Sequence, residues 1–337
     1  MAALLCAALA LSMAGCGGAP RRERTWYTWF DTVTTLIGYG SEKEFDRACG
    51  LVGDVLERYH TACDIYHEYS GDANAMTLNR RAGEGPIAVA PELLEVLEWG
   101  KSAYPLTEGM FNIAMGAVLS LWHDCREAAE EGFPALPERA ALEEAAKHCR
   151  IDDLILDASA GTAALADGAM SIDLGAVAKG YAAERAALAL KEAGFTGYAL
   201  SVGGNVRTVG SKPGGDAWVA GVEDPRDESE EVYFLRVSLS DSALVTSGSY
   251  QRFFTVEGAR YHHIISPETL YPKNAFLSVS VLCPDSALAD ALSTALFNMD
   301  LETGLNYVNQ MEDVEVCWVL ADGTARFSEG FEEYVLP

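Results

Sequence analysis

Two stretches of the sequence place side chains where they can bind an anion or a metal. Residues 171–181 read SIDLGAVAKGY, so Asp173 comes just before a glycine-containing turn and an alanine-rich run with helical character. The first turn of a helix offers free backbone N–H groups and a partial positive charge, and Lys179 would lie in or near it. Further on, Asp290 and Thr294 are four residues apart and share one face of a predicted helix. Oxygen ligands of this kind suit Mg²⁺, which keeps several waters and bridges to phosphates.

A third stretch offers a general base. His262 and His263 end a predicted strand and are followed by IISPETLYP. Each of these signals is weak by itself. Residues 171–181 lack the GxGxxG and GxxxxGK[ST] spacings, so an ordinary strand-to-helix connection is the more frequent interpretation. An Asp–Thr pair usually belongs to a helix surface or an internal hydrogen bond, and adjacent histidines are more often structural than catalytic.

Helical and strand patterns, which must position these residues, are segregated along the chain. Aromatic and β-branched residues predict a strand over 26–40, and amphipathic periodicity predicts helices over 44–63 and 91–104. Between them lies a polar irregular stretch with Tyr66 and Tyr69, which fits a lid over a planar ligand and a loop anchor equally well. After residue 154 the pattern changes to short strands at hairpin spacing, interrupted by two helices. The predicted fold is therefore α+β, with antiparallel sheets and segregated helices. The predicted strands of this second part include 154–157, 162–166, 170–173, 197–202, 206–209 and 217–222, and its helices are 177–193 and 287–298.

Composition narrows the classes of partner. The 337 residues include 24 Lys+Arg and 50 Asp+Glu, which gives a formal net charge of −26. Such a surface repels the phosphates of nucleic acids and anionic lipid headgroups, so no nucleic acid partner is expected. An anionic ligand would need local help from a cation or from backbone dipoles. The cysteines after residue 16 form no CxxC motif and indicate neither a disulfide framework nor a zinc site.

The N-terminus resembles a bacterial lipoprotein signal. A short apolar run over residues 2–13 leads into Met13-Ala14-Gly15-Cys16, and the run is too short to span a membrane. No Lys or Arg precedes it. The interpretation is a signal peptide over 1–15, lipidation of Cys16, a tether over 16–25 and one domain over 26–337. The protein would then be lipid-anchored on the extracytoplasmic face of the cell membrane.

Seven motifs, in the same order and nearly to the end of the chain, resemble the ApbE family, the FAD:protein FMN transferases. Any one of them is weak evidence, whereas seven in register are a strong signal. They are DIYHEYS…LN (64–79), FNIAMGAVLSLWHD (111–124), DLGAVAKGYA (173–182), SVGGNV (201–206), TSGSYQRFF (246–254), HHIISPETLYP (262–272) and ADALSTAL (289–296).

The resemblance implies a T-fold-like architecture with the flavin site between lobes. It implies that Tyr66 packs on the flavin and that His263 acts in catalysis. It further implies Mg²⁺ as cofactor, held by Asp290, Thr294 and the backbone carbonyl of Ala176. FAD would be the substrate, and the residues implied to contact it are Ala114, Met115, Gly116, Asp173, Lys179 and Ile265.

The implied reaction joins FMN to a threonine hydroxyl of a second protein and releases AMP. Mg²⁺ and Lys179 would neutralise the growing phosphate charge, and His263 would remove the hydroxyl proton. The acceptors would be flavin-carrying subunits of membrane electron-transfer systems. Two alternatives stay open: a Mg²⁺-dependent FAD pyrophosphatase, in which water replaces the threonine, and a non-enzymatic FAD-binding lipoprotein. An exported solute-binding lipoprotein would need two similar α/β lobes, which the run of antiparallel strands does not support.

The sequence departs from the family pattern at three places. Ser266 stands where aspartate is frequent, and we expect it to loosen the loop of His263. Ser293 stands where an acidic residue is frequent, and we expect it to weaken Mg²⁺ binding. Residues 30–32 read Phe-Asp-Thr in place of the frequent Met-Gly-Thr, so that flavin contact is not carried over.

Overall fold

An eight-stranded antiparallel sheet forms the centre of the protein. The structure, a computed structural model, describes residues 19–226 and 232–337. The strands of the described chain are β1 (Arg21–Trp26), β2 (Thr34–Tyr39), β3 (Ile87–Ala88), β4 (Leu154–Asp157), β5 (Thr162–Leu165), β6 (Tyr198–Val202), β7 (Asn205–Val209), β8 (Trp218–Glu223), β9 (Tyr233–Leu239), β10 (Ala243–Gly248), β11 (Phe253–Val256), β12 (Ala259–His262), β13 (Phe276–Cys283), β14 (Glu315–Leu320), β15 (Ala325–Phe327) and β16 (Val335–Leu336). The central sheet has the order β1-β2-β6-β7-β10-β13-β14-β15, and smaller sheets are β16-β9-β8, β3-β5-β4 and the hairpin β11-β12.

Three helices cover one face of the central sheet. The helices of the described chain are α1 (Glu42–Cys63), α2 (Ala75–Arg80), α3 (Pro91–Leu106), α4 (Gly116–Glu130), α5 (Arg139–Ala145), α6 (Ala178–Glu192), α7 (Ser286–Asn298) and α8 (Leu301–Val308), with 3₁₀ turns at Ala146–His148, Ile151–Asp153 and Phe331–Tyr334. Helix α6 packs between α1 and α7, and α7 lies on β10 and β13. The buried side of α6 is rich in alanine, including Ala182, Ala183, Ala186 and Ala187, and this lets its neighbours approach closely. The predicted α+β fold with antiparallel sheets is confirmed.

Apolar side chains form three clusters. The largest fills the space between the helices and the central sheet. A second lies on the other face of that sheet, under the β8–β9 pair, around Trp218. The third lies beneath α4 and the β11–β12 hairpin and includes Met115, Trp122 and Ile265. This third cluster supports the loop that carries His263.

Two sequence predictions differ from the structure. The strand predicted over 26–40 is a hairpin of β1 and β2, because Phe30 and Asp31 take positive φ values of 56° and 49° and turn the chain. Strand β1 begins at Arg21, inside the segment predicted as a tether, so regular structure begins before residue 26. The strand predicted over 170–173 is an irregular extended segment, since only isolated hydrogen bonds reach its backbone.

The membrane predictions fall outside what the structure describes. Cys16 and the predicted signal over 1–15 lie outside the described residues. Within the described chain, no helix combines the length and the apolar character needed to cross a membrane. The lipid anchor therefore stays a prediction.

Candidate functional site

Asp290 lies at a tight contact between α6 and α7. Its Oδ2 accepts the backbone N–H of Gly180 at 2.8 Å. A Cβ at residue 180 would lie 2.4 Å from both the Cβ of Asp290 and the carbonyl oxygen of Ser286, so only glycine fits there. In a continuous helix this N–H would bond the carbonyl of Ala176, four residues earlier. Here it serves the carboxylate, which leaves the Ala176 carbonyl at the start of α6 available to another donor or to a cation.

Hydroxyl groups surround the next turn of α7. The Oγ of Ser247, at the end of β10, lies 3.5 Å from Thr294 Oγ1 and 2.8 Å from Ser293 Oγ. Ser293 in turn donates to the carbonyl oxygen of Asp290 at 2.8 Å. Ser293, one of the residues that depart from the family pattern, therefore donates a hydrogen bond to the backbone of the predicted metal ligand Asp290.

The electrostatics of Asp290 suit a nearby cation. Burial raises the pKa of Asp290, whereas the charge of Lys179 and the Gly180 N–H oppose that rise.

No group of three or more His, Cys, Asp or Glu side chains within the described ranges is placed to hold a metal. The groups that flank the Gly180–Asp290 contact are oxygen donors: the Asp290 carboxylate itself, the hydroxyl of Thr294 one turn later on α7, and the carbonyl of Ala176 four residues before Gly180. Such a set fits Mg²⁺, which binds through one or two carboxylates and shares its remaining positions with water and phosphate.

The segments 113–116 and 171–173 lie side by side. The N–H of Gly116 donates to the carbonyl of Ser171 at 3.1 Å, and the N–H of Asp173 donates to the carbonyl of Ile113 at 2.9 Å. A Cβ on Gly116 would come 2.6 Å from the Ser171 carbonyl oxygen, so glycine is required there as well. The structure thereby brings Ala114, Met115 and Gly116 next to Asp173. Ala114 is completely buried, whereas Met115 is 5% exposed.

An asparagine replaces a partner strand for the segment that carries Asp173. Asn79 accepts the N–H of Ile172 at 2.8 Å and donates to its carbonyl at 3.0 Å. Asp173 Oδ1 then accepts the N–H of Gly175 at 2.8 Å, and Lys179 Nζ donates to the Gly175 carbonyl at 3.1 Å. Asp173 and Lys179 are therefore both held by the turn that starts α6.

Tyr66, His123 and Asp173 form a chain of polar contacts. The Tyr66 hydroxyl lies 3.4 Å from His123 Nδ1, and His123 Nε2 lies 3.9 Å from Asp173 Oδ2. The ring of Tyr66 is 53% exposed, so it can receive a planar ligand. Its backbone is fixed, because Asp64 Oδ1 accepts the Tyr66 N–H at 2.6 Å. His123 was not among the predicted site residues; its position seven residues after Gly116, on the same face of α4, is the signal that could have found it.

The two adjacent histidines serve different purposes. The backbone N–H of His263 and its Nδ1 both contact the carbonyl oxygen of Arg252, at 3.0 and 3.2 Å. A carbonyl only accepts, so Nδ1 carries the proton and Nε2 keeps its lone pair. His262 is buried, with its Nδ1 accepting the Ile264 N–H at 3.2 Å and its Nε2 facing the Lys273 carbonyl at 3.0 Å. His262 is therefore a structural residue, and His263 is the available base.

The surroundings of His263 favour its neutral form. Burial is the first cause that lowers its pKa, to about 3, and the positive charges of Arg252 and Lys179 act in the same direction. Lys179 thus influences both His263 and Asp290, although no hydrogen bond among the described residues joins His263 to either of them. Among the predicted site residues, Asp173, Ala176 and Lys179 lie at the N-terminal end of α6, and Asp290 contacts it through Gly180.

The loop after His263 is well held. Ile265 lies in the same apolar cluster as Met115, which brings these two predicted flavin contacts to one side of the site. Ser266 is fully buried; its N–H donates to the Tyr271 carbonyl at 3.1 Å and its carbonyl accepts the Leu270 N–H at 2.8 Å. Backbone contacts therefore hold the turn where the family often has aspartate.

Known proteins resemble this chain over most of its length. The FAD:protein FMN transferase of Treponema pallidum is 33% identical over 278 residues, which cover 78% of this chain and 75% of the relative. That of Klebsiella pneumoniae is 29% identical, with 80% of each chain covered. The crystal structure of the ApbE protein from Thermotoga maritima superposes with a TM-score of 0.83 at 27% identity and covers 94% of this chain and all of the other.

A further structural match supports the fold. The flavin transferase ApbE from Vibrio cholerae superposes with a TM-score of 0.76 at 22% identity, over 94% of this chain and 99% of the other. The profile of the ApbE family matches residues 30–318. This span contains the turn at Asp173, the Gly180–Asp290 contact and His263. The chain belongs to the ApbE family.

Proposed function

We propose that this protein transfers FMN from FAD to the hydroxyl of a threonine in an acceptor protein and releases AMP. Relatives that align over most of the chain are FAD:protein FMN transferases. The observation that carries the proposal is the contact of His263 Nδ1 with the Arg252 carbonyl at 3.2 Å, which leaves Nε2 as the free lone pair; the charge of Lys179 acts on the same imidazole and lowers its pKa. A base and a cation next to one another are what a phosphoryl-transfer site requires.

His263 removes the threonine proton. Its Nε2 is the free lone pair, so the hydroxyl proton passes to Nε2 as the threonine oxygen forms its bond to the FMN phosphorus. The bond between that phosphorus and the oxygen leaving with AMP breaks in the same displacement. Fixing Nδ1–H to a carbonyl holds the imidazole in the required tautomer, which lowers the cost of orienting the base.

Lys179 and the start of α6 stabilise the phosphates. The ammonium of Lys179 is held at Gly175 by a 3.1 Å hydrogen bond, at the positive end of the α6 dipole. Asp290, Thr294 and the Ala176 carbonyl are the residues that would hold Mg²⁺. When bound, the ion would supply positive charge to the pyrophosphate oxygens. In a protein of net charge −26, this local concentration of positive charge is what an anionic substrate needs.

The flavin lies at Tyr66. The exposed ring of Tyr66 offers a planar surface, and the backbone at residues 114–116 together with Asp173 lines the adjacent wall. Met115 and Ile265 belong to one apolar cluster and would form the wall of this pocket that excludes water. Planar aromatic ligands bind in pockets of this composition, in which apolar walls surround a few fixed polar groups.

The proposal also covers where in the cell the protein acts. Lipidation at Cys16 would place the enzyme on the extracytoplasmic face of the cell membrane, next to flavin-carrying subunits of membrane electron-transfer systems. The support is the sequence pattern at residues 2–16. Mass spectrometry of the N-terminal peptide from membranes tests it, with Cys16→Ser as the control. An unmodified N-terminus that still carries residues 1–15 would contradict it.

Quantifying AMP tests the reaction. Protein, FAD and Mg²⁺ are incubated with a threonine-containing acceptor peptide, with its Thr→Ala counterpart, and without peptide. AMP together with a gain of FMN mass on the threonine peptide alone supports the transferase. AMP and free FMN in all three tubes instead identify a pyrophosphatase. Tight FAD binding without AMP would leave a flavin-binding protein. Omitting Mg²⁺ in a parallel series tests the metal requirement.

A further inference from the structure

Asn205 carries a buried amide that the proposed reaction does not use. It lies in the SVGGNV stretch (201–206), is only 3% exposed, and its Nδ2 has no hydrogen-bond partner in the described chain. A buried N–H that leaves water without gaining an acceptor costs free energy, so its surroundings need an explanation. What distinguishes Asn205 from other buried atoms without a partner, such as Ser278 Oγ and Trp318 Nε1, is its position beside Asp290.

The side chain of Asn205 lies on the face of β7 that α6 and α7 cover. Strand β7 contacts both helices. Arg207, two residues later and therefore on the same face, donates to the Glu184 carboxylate on α6 at 2.7 and 3.0 Å. Val206, between them, belongs to the apolar cluster on the opposite face of the sheet. Asn205 therefore points towards the junction of α6 and α7.

A two-residue turn fixes this direction. Val202 and Asn205 pair at the end of the β6–β7 hairpin, and Gly203 and Gly204 between them have φ values of 59° and 90°. Positive φ at both central positions is typical of a type I′ turn, which glycine adopts without strain. A slip of one residue in this register would turn Asn205 to the opposite face of the sheet.

Two carboxylates join α6 and α7 in the same way. Glu184 on α6 accepts the backbone N–H of Ser286 on α7 at 2.8 Å, and Asp290 on α7 accepts that of Gly180 on α6 at 2.8 Å. Glu184 comes four residues after Gly180, and Asp290 comes four residues after Ser286. The two contacts therefore lie on successive turns of the same pair of helices.

Strand β7 supplies one side chain to each of these contacts. Arg207 completes the contact at Glu184. Asn205 acts on the contact at Asp290: burial raises the pKa of Asp290, whereas the amide of Asn205 lowers it, as the N–H of Gly180 does. The amide therefore lies close to the Asp290 carboxylate without completing a hydrogen bond to it.

We propose that Asn205 is a positioning residue for Asp290, whose carboxylate it holds in place for Mg²⁺ by donating its Nδ2–H. This rests on the metal site within the function proposed above and adds a residue that acts through the ligand. The Gly180 N–H and the amide would then approach the carboxylate from two elements, α6 and β7, and restrain its rotation. Hydrogen bonds of this kind orient metal ligands, and their loss lowers metal affinity.

A metal titration without turnover tests the proposal. Mn²⁺, which prefers oxygen ligands as Mg²⁺ does, is titrated into the protein without FAD, and the free ion is quantified by electron paramagnetic resonance. Asn205→Leu keeps the branched shape of the side chain and removes its N–H donor. Its Kd for Mn²⁺ should be about tenfold higher than that of the wild-type protein.

Thr208→Val is the matched control. Thr208 is buried on the same strand, next to Arg207 and on the opposite face, and its hydroxyl bonds the backbone of Ser242 at 3.0 and 3.1 Å. This variant should lower the urea midpoint and leave the Kd for Mn²⁺ unchanged. A wild-type Kd in Asn205→Leu would overturn the proposal. An equal rise of the Kd in both variants would also overturn it, because loss of structure alone would explain the effect.

The titration separates this proposal from the proposed function. If the protein transfers no FMN to the threonine peptide but Asn205→Leu and Asp290→Asn both raise the Kd for Mn²⁺, the transferase proposal fails and the positioning role stands. If transfer occurs and only Asp290→Asn raises the Kd, the positioning role fails and the transferase stands. Mn²⁺ binding that Asp290→Asn leaves unchanged would refute the metal assignment and the positioning role together.

Discussion

The carboxylate of Asp290 accepts the N–H of Gly180 at 2.8 Å, so a side chain of α7 caps the first turn of α6. This contact has two effects. It positions the carboxylate at the positive end of a helix, where negative charge is favoured. It also diverts an N–H that would otherwise bond the Ala176 carbonyl. One hydrogen bond thus orients one proposed metal ligand and frees another.

Gly180→Ala should disrupt this junction. Its Cβ would come 2.4 Å from two atoms of α7, and overpacking of this kind costs about 1–3 kcal/mol. Urea unfolding should show a lower free energy of unfolding, and AMP release should fall with it. Gly50→Ala in α1 is the control, since no atom lies within 4 Å of its Cβ, and it should be neutral or stabilising by up to about 1 kcal/mol. Equal stability of the two variants would contradict the proposed close packing.

His263→Ala should abolish most FMN transfer. Loss of a general base typically lowers the rate by about 10²–10⁴-fold, while FAD affinity should change little because the flavin contacts lie elsewhere. Single-turnover transfer to the threonine peptide and equilibrium FAD titration measure the two quantities. His148→Gln, a histidine paired with Asp167 away from the site, serves as control. Retention of near-normal transfer by His263→Ala would remove this residue from the mechanism.

The protein should lose stability on acidification through three histidines whose folded-state pKa values are lowered, His123, His262 and His263. The folded-state pKa of His263 is lowered to about 3, so protonation favours the unfolded chain. Its contribution to stability is present above the unfolded pKa of about 6.5 and is lost as pH falls towards about 3. His123 and His262 shift in the same direction because of burial. Urea midpoints at about pH 7.5 and 5 should differ more for the wild-type protein than for His263→Asn. A larger or equal difference in the variant would refute the assignment.

Asp290→Asn should weaken Mg²⁺ dependence specifically. Asparagine keeps the shape and can still accept the Gly180 N–H, but it removes the only carboxylate among the proposed ligands. The Mg²⁺ concentration for half-maximal AMP release should rise by at least about 10- to 100-fold. Asp285→Asn on the same helix is the control, since Asp285 caps α7 by accepting the N–H groups of Ala287 and Leu288 and asparagine caps equally well. An unchanged Mg²⁺ requirement in Asp290→Asn would place the metal elsewhere.

Local spacing in the sequence predicts part of the site. The rest of the site depends on contacts between segments that are distant in sequence. The four-residue spacing of Asp290 and Thr294 on a helix predicted their common face correctly. The hairpin at Phe30 and Asp31 was missed because no glycine, proline or asparagine marks that turn. The segment 170–173 resembled a strand, yet its backbone partner is the side chain of Asn79, which lies far away in sequence.

The two adjacent histidines show the same limit. His262 and His263 are equivalent in the sequence, and only the carbonyls that face their rings distinguish the structural residue from the proposed base. The carbonyl that faces each ring is a property of the assembled fold, so no motif can reveal it.

Arg252 contributes its backbone to the reaction site. Its carbonyl oxygen accepts both the backbone N–H and the Nδ1–H of His263. A carbonyl belongs to the main chain, so exchange of the Arg252 side chain leaves this acceptor in place. The tautomer of the base is therefore set by the path of the chain and tolerates sequence change at residue 252.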